Sequence, residues 1–376
     1  MITGKSLKLH MKLAGKLETK SKIRITSRSI LSEIYTPGVA ECVRAITLNS
    51  KNVFALTIKH NTVAVISDGS AVLGMGNVGA EAALPVMEGK CILFKELAGL
   101  NAFPICLATQ DSGEIINIVR NISPVFAAIN LEDISAPKCF EIESKLQNMP
   151  IPVVHDDQQA TAIIVLAGLI NSVKIYKKDL KQSRIVVCGA GAAGYGITKL
   201  LHYFGCRNMT AVDSKGIICI LRKDLNAYKK ELAGITSKEN KPGKLKEAVR
   251  GSDILIGVSR KNLFTKEMLR TMNDKAVVFA LANPDPEISR NEAAAAGVFI
   301  YANGRSDDPN QINNALVFPG FFKGLINNKI KRVNEGIKVK TALAIASLVK
   351  NPVQNKFIPD IFDPGLVKTI SESLSD

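Results

Sequence analysis

Tryptophan is absent from this 376-residue chain, and aromatic residues make up only 5% of it. Stacking platforms of the kind that hold single-stranded nucleic acid are therefore poorly supplied, and no nucleic-acid partner is expected. The seven cysteines (Cys42, Cys91, Cys106, Cys139, Cys188, Cys206, Cys219) form no C-x-x-C pair and are odd in number. That spacing excludes a zinc ribbon and a disulfide framework. Thiols set mostly in apolar runs read as reduced core residues of an intracellular, cytoplasmic protein. Long hydrophobic runs are also missing. The longest apolar-leaning stretch, Ala160–Ile170, falls short of the roughly 20 residues of a bilayer span, so no membrane segment is expected. The N-terminus has no apolar core ahead of a small-residue cleavage site and reads as a basic, solvated arm rather than a signal peptide.

Acid is the scarcer charge. There are 49 Lys and Arg against 34 Asp and Glu, a net charge of +15. Met1 to Ile30 carries eight basic residues against Glu18 alone, and Lys323, Lys329, Lys331, Arg332, Lys338 and Lys340 form a second cluster. Such a surface gathers small anions, carboxylates among them. Apolar residues at 46%, charged residues at 22% and ordinary Gly and Pro counts describe a globular chain long enough for two domains.

The C-terminal half alternates apolar strands with helical stretches. Strands are expected at Arg184–Gly189, Met209–Asp213, Asp253–Val258, Ala276–Ala282 and Val298–Ala302, with helices at Ile197–His202 and Lys244–Val249. Such alternation predicts βαβ units in a doubly wound parallel sheet. In the N-terminal half, Val53–Ile58 and Val63–Asp68 flank Lys59–Thr62 and read as a hairpin or a pair about a short turn. Strands follow at Pro104–Ala108, Val125–Asn130 and Pro152–His155, with helices at Gly113–Arg120 and Phe140–Gln147. A boundary falls near Pro150–Gln159, dividing the α/β chain into residues 1–157 and 158–376. Asp157 then precedes a linking helix from about Ala160 to Lys174.

Chemistry concentrates in a few segments. Val186–Cys188 runs straight into Gly189-Ala190-Gly191-Ala192-Ala193-Gly194, a G-x-G-x-x-G turn that opens a helix, and Asp213 follows 24 residues after Gly189. That order suits a pyrophosphate on a helix N-terminus and an acidic partner for the adenosine ribose. A second match, Gly74–Gly79, lacks the strand before it and the acid after it and reads as a structural turn. Glu132, Asp133, Asp156 and Asp157 lie at the mouths of two strands, where paired carboxylates are costly without a cation. Oxygen ligands suit Mg²⁺ or Mn²⁺. His155 reads as packed beside them. Lys90, in apolar surroundings, reads by default as a snorkelling surface lysine, just as Tyr35 reads as a core tyrosine; the alternative is a lysine whose lowered pKa lets it serve as a base. Tyr35 is a proton-donor candidate. Asn283 and Asn314 end apolar segments, where amides can orient a carboxylate.

Taken together these segments resemble the malic enzyme family. The motifs, in order, are YTPGVAE (Tyr35–Glu41), SDGSAVLGMGNVGAEAALPVMEGK (Ser67–Lys90), INLEDI (Ile129–Ile134), HDDQQATA (His155–Ala162), VVCGAGAAGYG (Val186–Gly196), ANPDPEI (Ala282–Ile288) and NNALVFPG (Asn313–Gly320). The length resembles the short prokaryotic form. The resemblance implies an N-terminal malic-type substrate domain and a C-terminal Rossmann-like NAD(P)-binding domain. It implies oxidative decarboxylation of L-malate to pyruvate and CO₂ through bound oxaloacetate, with a side activity of oxaloacetate decarboxylation. Lys90 becomes the base, Tyr35 the acid that protonates the enolate carbon, and both contact substrate. Glu132, Asp133 and Asp157 become the metal ligands, with Asp156 supporting them in the catalytic set. Asn283, beside the cofactor, and Asn314 become carboxylate binders, and a homodimer is implied.

One departure stands out. Larger members carry an Arg shortly after the Asp-Gly of the glycine-rich segment, where this chain has Ser70 and Ala71; Lys95 is a candidate replacement. Asp213 favours the free ribose hydroxyl of NAD, whereas Ser214 and Lys215 can accommodate the extra phosphate of NADP. Other readings are a malolactic or non-decarboxylating malate conversion and a non-catalytic basic nucleotide-binding module.

Overall fold

The computed structural model describes residues 4–72, 74–236 and 241–375. Among the described residues, ten strands form two sheets. The first has β1 (Thr62–Ser67), β2 (Asn101–Cys106), β3 (Ala128–Leu131) and β4 (Val153–His155) in the order β2-β1-β3-β4, every pair parallel. The second contains β5 (Ile185–Cys188), β6 (Met209–Asp213), β7 (Gly216–Ile217), β8 (Ile254–Gly257), β9 (Val277–Ala280) and β10 (Ile300–Asn303), in the order β10-β9-β8-β5-β6-β7. Only the β6–β7 pair is antiparallel. Helices cover most of these strands. The edge strand β2 is half-buried, while β1, β3, β4, β5, β8, β9 and β10 are buried on both faces. This is why they read as continuous β-branched runs rather than as alternation. The chain order reverses at β5, between β6 and β8, the position at which doubly wound sheets bind ligands.

All five expected strands of the second sheet and two of the first lie within two residues of their expected limits, while β2 and β3 begin three residues from theirs. Three sequence expectations fail. Val53–Ile58 is no strand: Val53–Leu56 is a short helix and Ile58–Asn61 a 3₁₀ turn, where Asn and Thr side chains satisfy local backbone donors in place of a ladder. The linking helix begins at Asp156, not Ala160, and runs to Ile175. Its early start places both aspartates in the first turn, where the helix dipole favours negative charge. At 20 residues it is also long and apolar enough to cross a membrane, which the shorter stretch suggested no segment could do. Here 83% of that window is buried by protein.

That helix is the centre of the largest apolar cluster. Ile163, Val165 and Leu169 join residues of the first sheet such as Val63 and Val65 to residues of the second such as Ile185 and Phe279. The two sheets therefore share one core. The N-terminal arm differs. Its helices Lys5–Leu13, Arg28–Ile34 and Val39–Leu48 contain no buried residue, and Leu9, Met11, Ile25 and Val43 are exposed on it.

Candidate active site

Four acids and one lysine converge at the carboxyl ends of β3 and β4. Glu132 and Asp133 follow β3, and Asp156 and Asp157 open the helix after β4. Lys90 reaches them from the middle of the helix Ala80–Ala98. All five are buried or nearly so. Lys90 Nζ lies 2.5 Å from Asp156 Oδ2 and is ion-paired with Glu132. It also stands 4.5 Å from the centre of the Phe318 ring, a cation–π contact from the C-terminal half. Asn130 donates to Glu132 Oε2 at 2.9 Å, and the Asp133 backbone N–H donates to Asp157 Oδ2 at 3.1 Å.

Carboxylate oxygens of Glu132, Asp133 and Asp157 lie within 4.8 Å of one another. Burial is the first cause that raises the pKa of each; repulsion from neighbouring carboxylates adds to it at Glu132 and Asp133, whereas at Asp157 Lys90 and the Asp133 backbone N–H pull against it. Asp133 is pushed up to about 9 by burial, then by Asp157 and Glu132. Asp133 Oδ2 has no hydrogen-bond partner. A buried trio of hard oxygen donors with an unmet oxygen fits a divalent cation of the Mg²⁺ or Mn²⁺ type. Asp156, raised to about 8 by burial against the pull of Lys90, faces the lysine instead.

The lowered Lys90 pKa read from the sequence is not found. Burial does act to lower it, but Asp156, Glu132 and Asp157 outweigh that effect and hold the ammonium above its ordinary value. The apolar neighbours Met87 and Cys91 gave no sign of these long-range partners. His155 is fully buried with neither ring nitrogen bonded, which matches a packed histidine.

The glycine-rich segment closes on itself as a turn: Val72 N–H donates to Gly76 O, and Val78 N–H donates to Gly69 O. A Cβ on Gly74 would stand 2.2 Å from the Asn283 carbonyl oxygen. Only glycine allows this approach, which brings the two halves of the chain together here. The exposed Asn283 side chain lies against Gly304, whose carbonyl accepts from Asn313. Asn314 is half-buried at the start of the 3₁₀ turn Asn314–Leu316. Lys95, the proposed replacement cation, instead donates to Asn101 in an exposed position at its helix end. Lys138 is ion-paired with the buried carboxylate of Asp68, two residues before Ser70. Tyr35 is 65% exposed on the N-terminal arm and has no side-chain hydrogen bond to this cluster among the described residues.

A groove of about 440 Å³ opens at the end of β5, lined by Gly189, Ala190, Gly191, Asp213, Ser214 and Lys229 among others. Gly191 caps the helix Ala192–Phe204, so Ala192, Ala193 and Gly194 form its first turn. A Cβ on Gly194 would meet the Gly189 carbonyl at 1.9 Å, so only glycine permits this packing. Asp213 accepts from both Arg222 terminal nitrogens at 2.7 and 3.0 Å and from Lys229 at 2.7 Å. Burial pushes its pKa up, but these bonds hold it below the ordinary value. Asn283 is not among the residues lining the groove.

Sequence reasoning missed several contributors. Arg222 and Lys229 reach Asp213 across a loop, and Asn130 and Phe318 reach the Lys90 cluster from buried positions. Glu287 is fully buried and accepts from the backbones of Ser259 and Ala282, tying together the loops after β8 and β9. No local spacing announces these contacts, although Glu287 stands within the quoted ANPDPEI motif.

Comparison with known proteins gives a single answer. Residues 14–147 match the family described as malic enzyme, N-terminal domain, and residues 158–371 match malic enzyme, NAD binding domain. A protein of Geobacillus stearothermophilus named NAD-dependent malic enzyme is 48% identical over 97% of this chain and 77% of its own length. A bifunctional malic/malolactic enzyme of Bacillus subtilis is 45% identical over 98% of this chain and 91% of its own. The crystal structure of an NAD-dependent malic enzyme from Thermotoga maritima superposes with a TM-score of 0.95 at 44% identity, covering 99% of both chains.

Proposed function

The chain belongs to the malic enzyme family, and from that premise we propose that its two halves together convert L-malate to pyruvate and CO₂ with a nicotinamide dinucleotide as hydride acceptor. The observation that carries the residue assignment is the burial of Lys90 among Asp156, Glu132 and the neighbouring carboxylates. Glu132, Asp133 and Asp157 would hold a divalent cation, and the two-domain boundary falls beside them, at residues 157 and 158. When bound, that cation supplies Lewis acidity at the substrate oxygen, and the dinucleotide supplies the hydride acceptor.

Lys90 takes the proton from the malate hydroxyl as the hydride leaves, and oxaloacetate remains bound. For this the lysine must be neutral. Asp156, Glu132 and Asp157 together keep it protonated; a bound cation would neutralise the last two, and Asp156 would remain to orient the lysine. Asn283 and Asn314 hold the substrate carboxylate from the C-terminal half. Tyr35 returns a proton to the enolate carbon after decarboxylation.

Tyr35 stands exposed on an arm whose apolar residues have no cover in one copy. We read that arm as the contact of a homodimer, with Tyr35 serving the site of the partner. NAD is read as the favoured cofactor because Asp213 closes β6. NADP is accepted because Arg222 already neutralises Asp213, and Lys229 lines the groove where the 2′-phosphate would lie. Seven free thiols support a reducing, cytoplasmic setting.

The test is absorbance of the reduced nicotinamide with L-malate and Mn²⁺, NAD and NADP run separately, with a chelator control and product assays. Metal-dependent reduction with matching pyruvate supports the reading. Lactate without net reduced cofactor would favour malolactic conversion, which the name of the Bacillus subtilis relative makes the pertinent alternative. No reaction with either cofactor from folded protein overturns it.

A further inference from the structure

A second cavity, of about 420 Å³, lies behind the nucleotide groove and has no part in the chemistry above. The two share one aromatic wall of Phe140, Tyr195 and Tyr228, whose rings pack with centroids 4.5 to 5.8 Å apart. Gln158, the residue after Asp157, lines this cavity, and so do Glu335 and Lys338 from the helix Glu335–Ser347.

Its polar groups are satisfied unevenly. Glu143 accepts from the His155 backbone and from Gln159 at 3.0 Å. Glu231 accepts from the Tyr195 hydroxyl and pairs with Lys199 at 2.8 Å. Gln158, however, is only 8% exposed, and its Oε1 is buried without a partner. Glu335 Oε1 pairs with Lys338 at 2.7 Å, while its Oε2 is likewise buried and unpartnered. A buried acceptor without a donor is costly, and two in one cavity call for a donor that arrives from outside. Three carboxylates against two lysines leave one negative charge, beside aromatic faces that attract cations.

We propose that this cavity binds a small organic ammonium ion. Its N–H groups donate to Gln158 Oε1 and Glu335 Oε2, and its carbon chain lies on the Tyr195 and Tyr228 rings. An anion would face two bare acceptors. Ordered water would satisfy the acceptors and leave the charge. Because the wall is shared, occupancy alters dinucleotide affinity on its other side. The inference does not depend on the proposed malate chemistry.

The experiment titrates the full chain with 1,4-diaminobutane and with ethanolamine at matched ionic strength, using butane-1,4-diol as the uncharged control. Calorimetry and thermal denaturation are read without malate. Saturable binding and stabilisation by the amines, not the diol, are expected. Gln158→Met and Glu335→Gln should each weaken amine binding by about tenfold or more. Gln158→Met removes an unpaired acceptor, so the melting temperature of the free protein should hold or rise, whereas a merely damaging change lowers it. NAD affinity should shift by about threefold when the amine saturates. Equal effects of amine and diol, wild-type amine binding in both variants, or no saturable binding would overturn the site. Unchanged NAD affinity under saturating amine would overturn the coupling.

Discussion

At the mouth of the first sheet four carboxylates surround a single ammonium, while at the end of β6 one buried carboxylate is gripped by two cations. The acids of the first cluster are raised by burial and, at Glu132, Asp133 and Asp156, by their carboxylate neighbours. In the second, hydrogen bonds from Arg222 and Lys229 overcome burial and hold Asp213 low. The first cluster is therefore electrostatically incomplete, and its unmet Asp133 oxygen marks where charge is lacking. The second is closed within the chain. The proposed cation site is left short of positive charge, whereas the proposed ribose site is finished in advance.

Substitution of the central cation in each cluster should separate the two most widely. Lys90→Ala removes the proposed base and should lower malate turnover by about 10²- to 10⁴-fold with native circular dichroism retained. Lys229→Ala should leave turnover with saturating NAD near wild type. Equal losses in both variants would erase the distinction, and wild-type turnover in Lys90→Ala would sink the assignment of that residue.

The acid proposed for the first cluster, Tyr35, stands exposed on the arm with no side-chain hydrogen bond to that cluster among the described residues. Tyr35→Phe and Lys90→Ala preparations should each be nearly inactive. Dissociated and reassociated together, they should recover about a quarter of wild-type activity if random hybrids carry one intact site. No recovery, from hybrids shown to form by mass, would place Tyr35 and Lys90 in the same copy. For the second cluster, Arg222→Ala frees the charge of Asp213 toward the ribose. The ratio of kcat/KM with NAD to that with NADP should rise by about tenfold, mostly through loss of NADP use. An unchanged ratio would show that Arg222 does not tune that end of the groove.

What was legible in the sequence follows the same division. Parallel strands are continuous apolar runs, and the carboxylates that follow them are contiguous pairs, so β3, β4 and their acids could be read locally. So could the fingerprint, because its glycines, helix and Asp213 occur in order. The region around Val53–Ile58 misled, because β-branched residues there are interrupted by Asn and Thr side chains that build turns. Lys90 misled in another way. Its neighbours in sequence are apolar, but the groups that set its charge lie 42 to 67 residues away, at Glu132, Asp156 and Asp157. Arg222 and Lys229 were invisible for the same reason, being ordinary basic residues in a basic chain until the fold places them on Asp213.

The smallest expected effect is on stability, and it has a definite sign. Asp133 and Asp156 titrate near 9 and 8 in the folded chain, against about 4 when unfolded. Between those values the folded state binds more protons than the unfolded one, so the stability of metal-free protein falls as pH rises across that window. Lys90, held above its ordinary value, adds no slope there, because it stays protonated in both states. Asp213, held low, contributes stability that is lost only as pH falls below its unfolded value. With a chelator, the melting temperature should therefore decline by about a few degrees from pH 5 to pH 9. Saturating Mn²⁺ should flatten that decline, because deprotonated Glu132, Asp133 and Asp157 then hold a cation. Arg222→Ala should leave the slope in place, since its cluster titrates outside the window. A flat metal-free profile, or a slope indifferent to Mn²⁺, would mean that the acid surplus at the first sheet is already compensated within the chain, and the contrast between the two clusters would collapse.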